Sequence, residues 1–82
     1  VDIVDQSTKL SIALAEVLRQ QREEADLSMT KLAIAARVSR QMISYIEQGK
    51  RLPSTDILAR IALGMGVQPS ELWRRAEERM GS

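Results

Sequence analysis

Arg40 and Gln41 stand side by side in the stretch S-R-Q-M-I-S-Y-I-E-Q-G-K-R (39–51), and Ser44 and Tyr45 follow one helical turn later. An Arg fork can hydrogen-bond O6 and N7 of guanine together, and a Gln amide can do the same for N6 and N7 of adenine. Ser44 and Tyr45 have hydroxyls that reach a base edge or a phosphate. Met42 can touch a thymine methyl or serve in packing. Behind them, Lys50 and Arg51 lie in a basic turn whose charges and backbone N–H groups suit a phosphate strand and carry no sequence information. The plainer alternative for all of these is a solvent-facing polar surface.

Catalytic chemistry has little to work with. The 82 residues include no His and no Cys, so the usual general bases, nucleophiles and soft metal ligands are missing. Glu23-Glu24 and Glu77-Glu78 are sequence neighbours, which point differently on a helix and suit solvated charge. No glycine-rich phosphate loop is present. The expectation is a non-enzyme with no metal and no cofactor.

The side chains that could read bases need a helix to present them. Ser28 is a good N-cap, with Leu32, Ala33 and Ala36 at helical spacing behind it. Arg37-Val38-Ser39 breaks that period, and Ser39 can cap a second helix. This second helix carries Ile43 and Ile46 on one face and Arg40, Gln41, Ser44 and Tyr45 elsewhere, and Gly49 stops it. Small Ala33 allows the two helices a close approach. A polar second helix projecting from an apolar pair is the pattern of a helix-turn-helix, here over residues 28–49, whose second helix enters the major groove of double-stranded DNA.

Together with its flanks, this stretch resembles the phage repressor/Cro family of helix-turn-helix proteins, also called the xenobiotic-response-element family. The matching pieces are L-R-Q-Q-R-E-E-A-D-L-S (18–28), K-L-A (31–33), V-S-R-Q-M-I-S-Y-I-E-Q-G-K-R (38–51) and P-S-T-D-I-L-A-R-I-A-L-G-M-G-V-Q-P-S-E-L (53–72). The chain looks like the small controller proteins of restriction–modification systems and phage repressor DNA-binding domains. The resemblance implies an all-α, compact five-helix lambda-repressor-like domain, base contacts from Arg40, Gln41, Ser44 and Tyr45, and an inward ion pair between Arg22 and Glu47. Two positions depart from the family pattern. Met29 replaces the Gln that often holds a phosphate, leaving Thr30 and Lys31, with Ser39, Lys50 and Arg51, as the phosphate-contacting set. Arg37 stands where the turn usually has Gly, and a side chain there strains a positive φ.

Composition agrees with one small domain. Hydrophobic residues make up 44% of the chain, drawn from Leu, Ile, Ala, Val and Met, with four Gly and two Pro, which favours helices. The net charge of +1 is unevenly spread: residues 27–51 hold five cations against Glu47, a local +4 that leaves −3 for the rest. No apolar run reaches membrane-spanning length and no signal-peptide pattern occurs, so the expected setting is cytoplasmic with no membrane partner.

The remaining boundaries follow from caps and periods. Residues 1–7 lack a helical period and are expected as an N-terminal arm, with the domain proper over 8–80. The first helix is expected from Thr8 to Glu24, with Ser7 able to cap it. Ser54 caps a fourth helix with Ile57, Leu58, Ile61, Ala62 and Met65 on its buried stripe, and Pro69 opens a fifth, which the charged tail extends before fraying. Trp73 cannot share a narrow face with Leu72. With Met65 and Leu63 it suggests an apolar patch for a homodimer, the alternative being a Trp lying across its own fourth helix. The functional expectation is a homodimeric, sequence-specific transcription regulator, a repressor in the simplest form, acting on a dyad-symmetric operator. The alternative is an antitoxin-like interaction module with a toxin or other protein partner.

Overall fold

The computed structural model describes residues 2–81, which form α1 (Ile3–Glu24), α2 (Met29–Ala36), α3 (Arg40–Glu47), α4 (Thr55–Gly64) and α5 (Pro69–Gly81). Three of the starts are serine caps. Ser28, Ser39 and Ser54 have extended backbones, and each side-chain oxygen accepts the N–H three residues on, from Lys31 at 3.0 Å, Met42 at 3.0 Å and Ile57 at 3.2 Å. Each satisfies a donor that the helix itself cannot.

The first four helices end alike. Asp26, Arg37, Gly49 and Gly66 take positive φ, and the residue after each sends its N–H back to the carbonyl five residues earlier: Leu27 to Arg22, Val38 to Ala33, Lys50 to Tyr45 and Val67 to Ala62. This closure satisfies the last carbonyls and turns the chain sharply. At Arg37, φ 58° and ψ 45° place a long side chain in a conformation that glycine adopts without cost.

One core unites the helices. Leu14, Val17 and Leu18 of α1 meet Leu32 and Ala36 of α2, Ile43 and Ile46 of α3, Leu58 and Ile61 of α4, and Leu72 and Ala76 of α5. The broadest contact is α1 with α5, followed by α2 with α4. Small residues set the α2–α4 spacing: a Cβ on Gly64 would lie 3.4 Å from the Cβ of Ala35 and from the backbone nitrogen of Ala36.

The amino-terminal end differs from the expected arm. Helix α1 begins at Ile3 rather than Thr8, so residues 3–7 are helical. Asp2, not Ser7, is the cap, with Oδ1 accepting from Val4 N at 3.0 Å and Asp5 N at 3.3 Å. Ser7 lies within the helix, where its carbonyl accepts from Ser11 Oγ. The apolar period was illegible because these turns bury nothing: Ile3 and Val4 are 82% and 74% exposed. Helix α5 continues to Gly81, its outer turns tied to α1 by Arg75 on Gln21 and by Arg79 on Glu16.

Candidate nucleic-acid interface

The outward face of α3 is set by what the inward face buries. Ile43 and Ile46 are 1% and 2% exposed, and this leaves Arg40, Gln41 and Tyr45 in solvent and Ser44 half-buried. Met42 is half-buried against the core, the packing alternative of its two readings. Two hydrogen bonds run along this face at i,i+4 spacing. Gln41 Nε2 donates to Tyr45 Oη at 2.8 Å, and Gln48 Nε2 donates to Ser44 Oγ at 2.7 Å.

Around α3 the candidate phosphate-gripping groups are exposed on three segments. Thr30 and Lys31 occupy the first turn of α2, Ser39 caps α3, and Lys50 and Arg51 follow the Gly49 turn. The Ser39 oxygen accepts from Met42 N, which leaves its hydroxyl proton available to a phosphate oxygen.

Arg22 ties the end of α3 to α1. Its Nε and NH2 donate to Glu47 Oε2 and Oε1 at 2.7 and 3.0 Å, and NH1 donates to the Leu27 carbonyl at 2.9 Å. One guanidinium thus joins α1, the entry to α2 and the end of α3. The Arg22 and Glu47 side chains are 13% and 4% exposed. The hydrogen bond to Glu47 holds the guanidinium above its ordinary pKa against the opposing effect of burial. Glu47 is also flanked by Leu18, Leu32, Ile43, Ile46 and Ile61, with no space for a water between them.

Met65 departs from the expected dimer patch. It is 8% exposed and belongs to the core cluster, as its place on the buried stripe of α4 requires, which leaves it little surface for a partner. Trp73 is half-buried and packed against the same cluster, while Leu63 is 67% exposed. Sequence reasoning missed two contacts near the interface. Arg60 NH1 donates to the Arg37 carbonyl at 3.2 Å, bracing the α2–α3 turn from α4, and no local spacing signals this. The Gln41–Tyr45 pair did carry a signal, its i,i+4 spacing. Among the described residues no acidic cluster is arranged to hold a metal, and no helix is long and apolar enough to cross a membrane.

Two short helices joined through a left-handed residue, with the second presenting a polar face from a five-helix core, define a helix-turn-helix domain. The chain belongs to the helix-turn-helix domain family, whose sequence profile matches residues 13–74. It is 42% identical over 59 residues to an uncharacterised HTH-type transcriptional regulator of Mycobacterium tuberculosis, a match covering 72% of this chain and 42% of that protein. The chain therefore spans about two fifths of that relative's length. Among solved structures, the clp gene regulator ClgR of Corynebacterium glutamicum superposes with a TM-score of 0.83 at 29% identity, covering 88% of this chain and 77% of that one. The restriction–modification controller protein C.AhdI of Aeromonas hydrophila superposes with a TM-score of 0.74 at 26% identity, covering 76% and 94%.

Proposed function

We propose that this chain is the operator-reading domain of a transcription regulator, binding double-stranded DNA as a homodimer. The observation that carries the reading is the division of α3: Ile43, Ile46 and Glu47 are held inside, and Arg40, Gln41 and Tyr45 are left exposed between the cations of Lys31, Lys50 and Arg51. Helix α3 lies in the major groove with Arg40 and Gln41 at base edges, and Thr30, Lys31, Ser39, Lys50 and Arg51 grip phosphates on either side. Family membership and the likeness to ClgR support the same reading.

Two copies related by a twofold axis place two α3 helices on half-sites about one helical turn, roughly 34 Å, apart. The contact between copies uses exposed Leu63 and the open side of Trp73. Occupation of an operator overlapping a promoter represses transcription by occlusion. The test is selection of bound duplexes from a random library, followed by titration of the winner at two salt concentrations and sedimentation of the complex. A dyad-symmetric site, two chains per duplex and affinity falling steeply with salt are expected. A folded protein that selects no sequence would overturn operator reading, and a single chain per site would overturn the dimer.

A further inference from the structure

We infer that Tyr45 is a positioning residue for Gln41, holding the Gln41 amide in the orientation that reads adenine, and that its role is to fix this neighbour and not to read a base itself. The inference rests on the operator-reading function proposed above. It begins from the hydrogen bond in which Gln41 Nε2 donates to Tyr45 Oη at 2.8 Å.

A glutamine side chain has three rotatable bonds and, on an exposed helix face, samples many rotamers, so a bidentate contact with adenine must first meet the entropy of ordering it. The amide is planar and carries two Nε2 protons. The one cis to Oε1 forms, with Oε1, the edge that matches adenine N7 and N6–H. The trans proton points away from that edge. In the inferred arrangement the outer proton is the one donated to Tyr45, which leaves the reading edge intact and removes freedom from the side chain. Exposed residues four apart on a helix face each other, so the pair needs no further element to form.

Tyr45 is suited to stay still while it does this. It is 39% exposed, and the next residue, Ile46, is anchored in the core at 2% exposed, which holds this part of the helix in place. Its oxygen accepts from Gln41, which frees the phenolic proton to donate outward, to a phosphate oxygen in the complex. A phosphate contact by Tyr45 would then orient the base contact by Gln41. Arg40 lies outside this pair, and its base preference is independent of Tyr45.

The experiment compares base preference, position by position, for the intact chain and its Tyr45→Phe, Gln41→Ala and doubly substituted forms. The probe is a duplex library built on the site selected by the unsubstituted protein. Tyr45→Phe keeps the ring and deletes the hydroxyl. It is expected to lower the preference for adenine at one position per half-site by about three- to tenfold, the worth of one hydrogen bond, with the guanine preference of Arg40 unchanged. In the Gln41→Ala background the same change should leave that position untouched. In the protein without DNA, Tyr45→Phe should move the Gln41 side-chain amide proton resonances toward those of a freely solvated glutamine.

Weakening that is uniform over all bases with the adenine preference unchanged, or a loss of base preference at that position as large in the Gln41→Ala background, would overturn the positioning role and leave operator reading standing. If the unsubstituted chain shows no base preference at any position, operator reading fails and this inference with it.

Discussion

Arg22 and Glu47, 25 residues apart in sequence, meet through two parallel hydrogen bonds of 2.7 and 3.0 Å at the junction of α1 and α3. The pair is close to dry, and the remaining guanidinium nitrogen, NH1, is taken by the Leu27 carbonyl. It therefore meets the geometric conditions under which a buried ion pair repays its desolvation.

Breaking this pair from one side should be severe. Arg22→Ala strands a buried carboxylate and should cost about 3–5 kcal/mol, a large part of the roughly 5–15 kcal/mol that holds a domain together. Joint replacement by Met at 22 and Leu at 47 should recover most of that loss, since no charge is then stranded. Urea denaturation of both variants beside the unsubstituted chain decides the matter. A single substitution costing under about 1 kcal/mol, the range of exposed pairs, would show that solvent reaches the site.

Arg40→Ala and Lys50→Ala should separate base reading from phosphate grip. The first should remove roughly 1–3 kcal/mol of preference for guanine at one position of each half-site. The second should weaken all sequences alike and reduce the salt slope by about one. Titration of both variants against selected and scrambled duplexes at several salt concentrations measures the split. Equal scaling of every site by both changes would refute this division of labour.

Arg37 offers a gain. Its φ of 58° is unfavourable for a residue with a Cβ, and in its contact with the Arg60 guanidinium it contributes only its backbone oxygen. Arg37→Gly should therefore stabilise the domain by about 1 kcal/mol, raising Tm by roughly 4–8 °C for a domain of this size. Thermal unfolding followed by circular dichroism tests this, and a lower Tm would mean that the Arg37 side chain contributes more than its backbone strain costs.

The exposed α5 surface gives a pH signature. Hydrogen bonding to Arg74 holds the Glu71 carboxyl below the usual carboxylate range, against opposing desolvation, with Arg75 adding a smaller effect. Because the folded pKa is the lower one, the associated stabilisation is present above the unfolded carboxylate pKa and is lost as pH falls through the folded value. An NMR titration should show Glu71 ionising at lower pH than a free glutamate. Arg74→Ala should move it up, as should about 1 M salt, where the screening length is about 3 Å. A Glu71 curve indifferent to both would deny the pairing.

Local rules determined much of the protein from the sequence alone. The serine caps, Pro69 at the first position of α5, and the stripe of Ile43 and Ile46 depend on hydrogen bonds and spacings within a few residues, so they can be read in order along the chain. The division of α3 into a buried and a polar face followed from the same period. The start of α1 is local too, Asp2 capping it in place of Ser7, and it was illegible because these exposed turns carry no apolar stripe to mark them. Tertiary structure decided the rest. Spacing put Met65 both on the buried stripe of α4 and in a partner-facing patch, and only the packed core decided for burial, which is a property of neighbours distant in sequence. The same reason hides the contacts of Arg75 with Gln21 and Arg79 with Glu16, 54 and 63 residues apart, which no local pattern encodes and only the crossing of α1 by α5 creates.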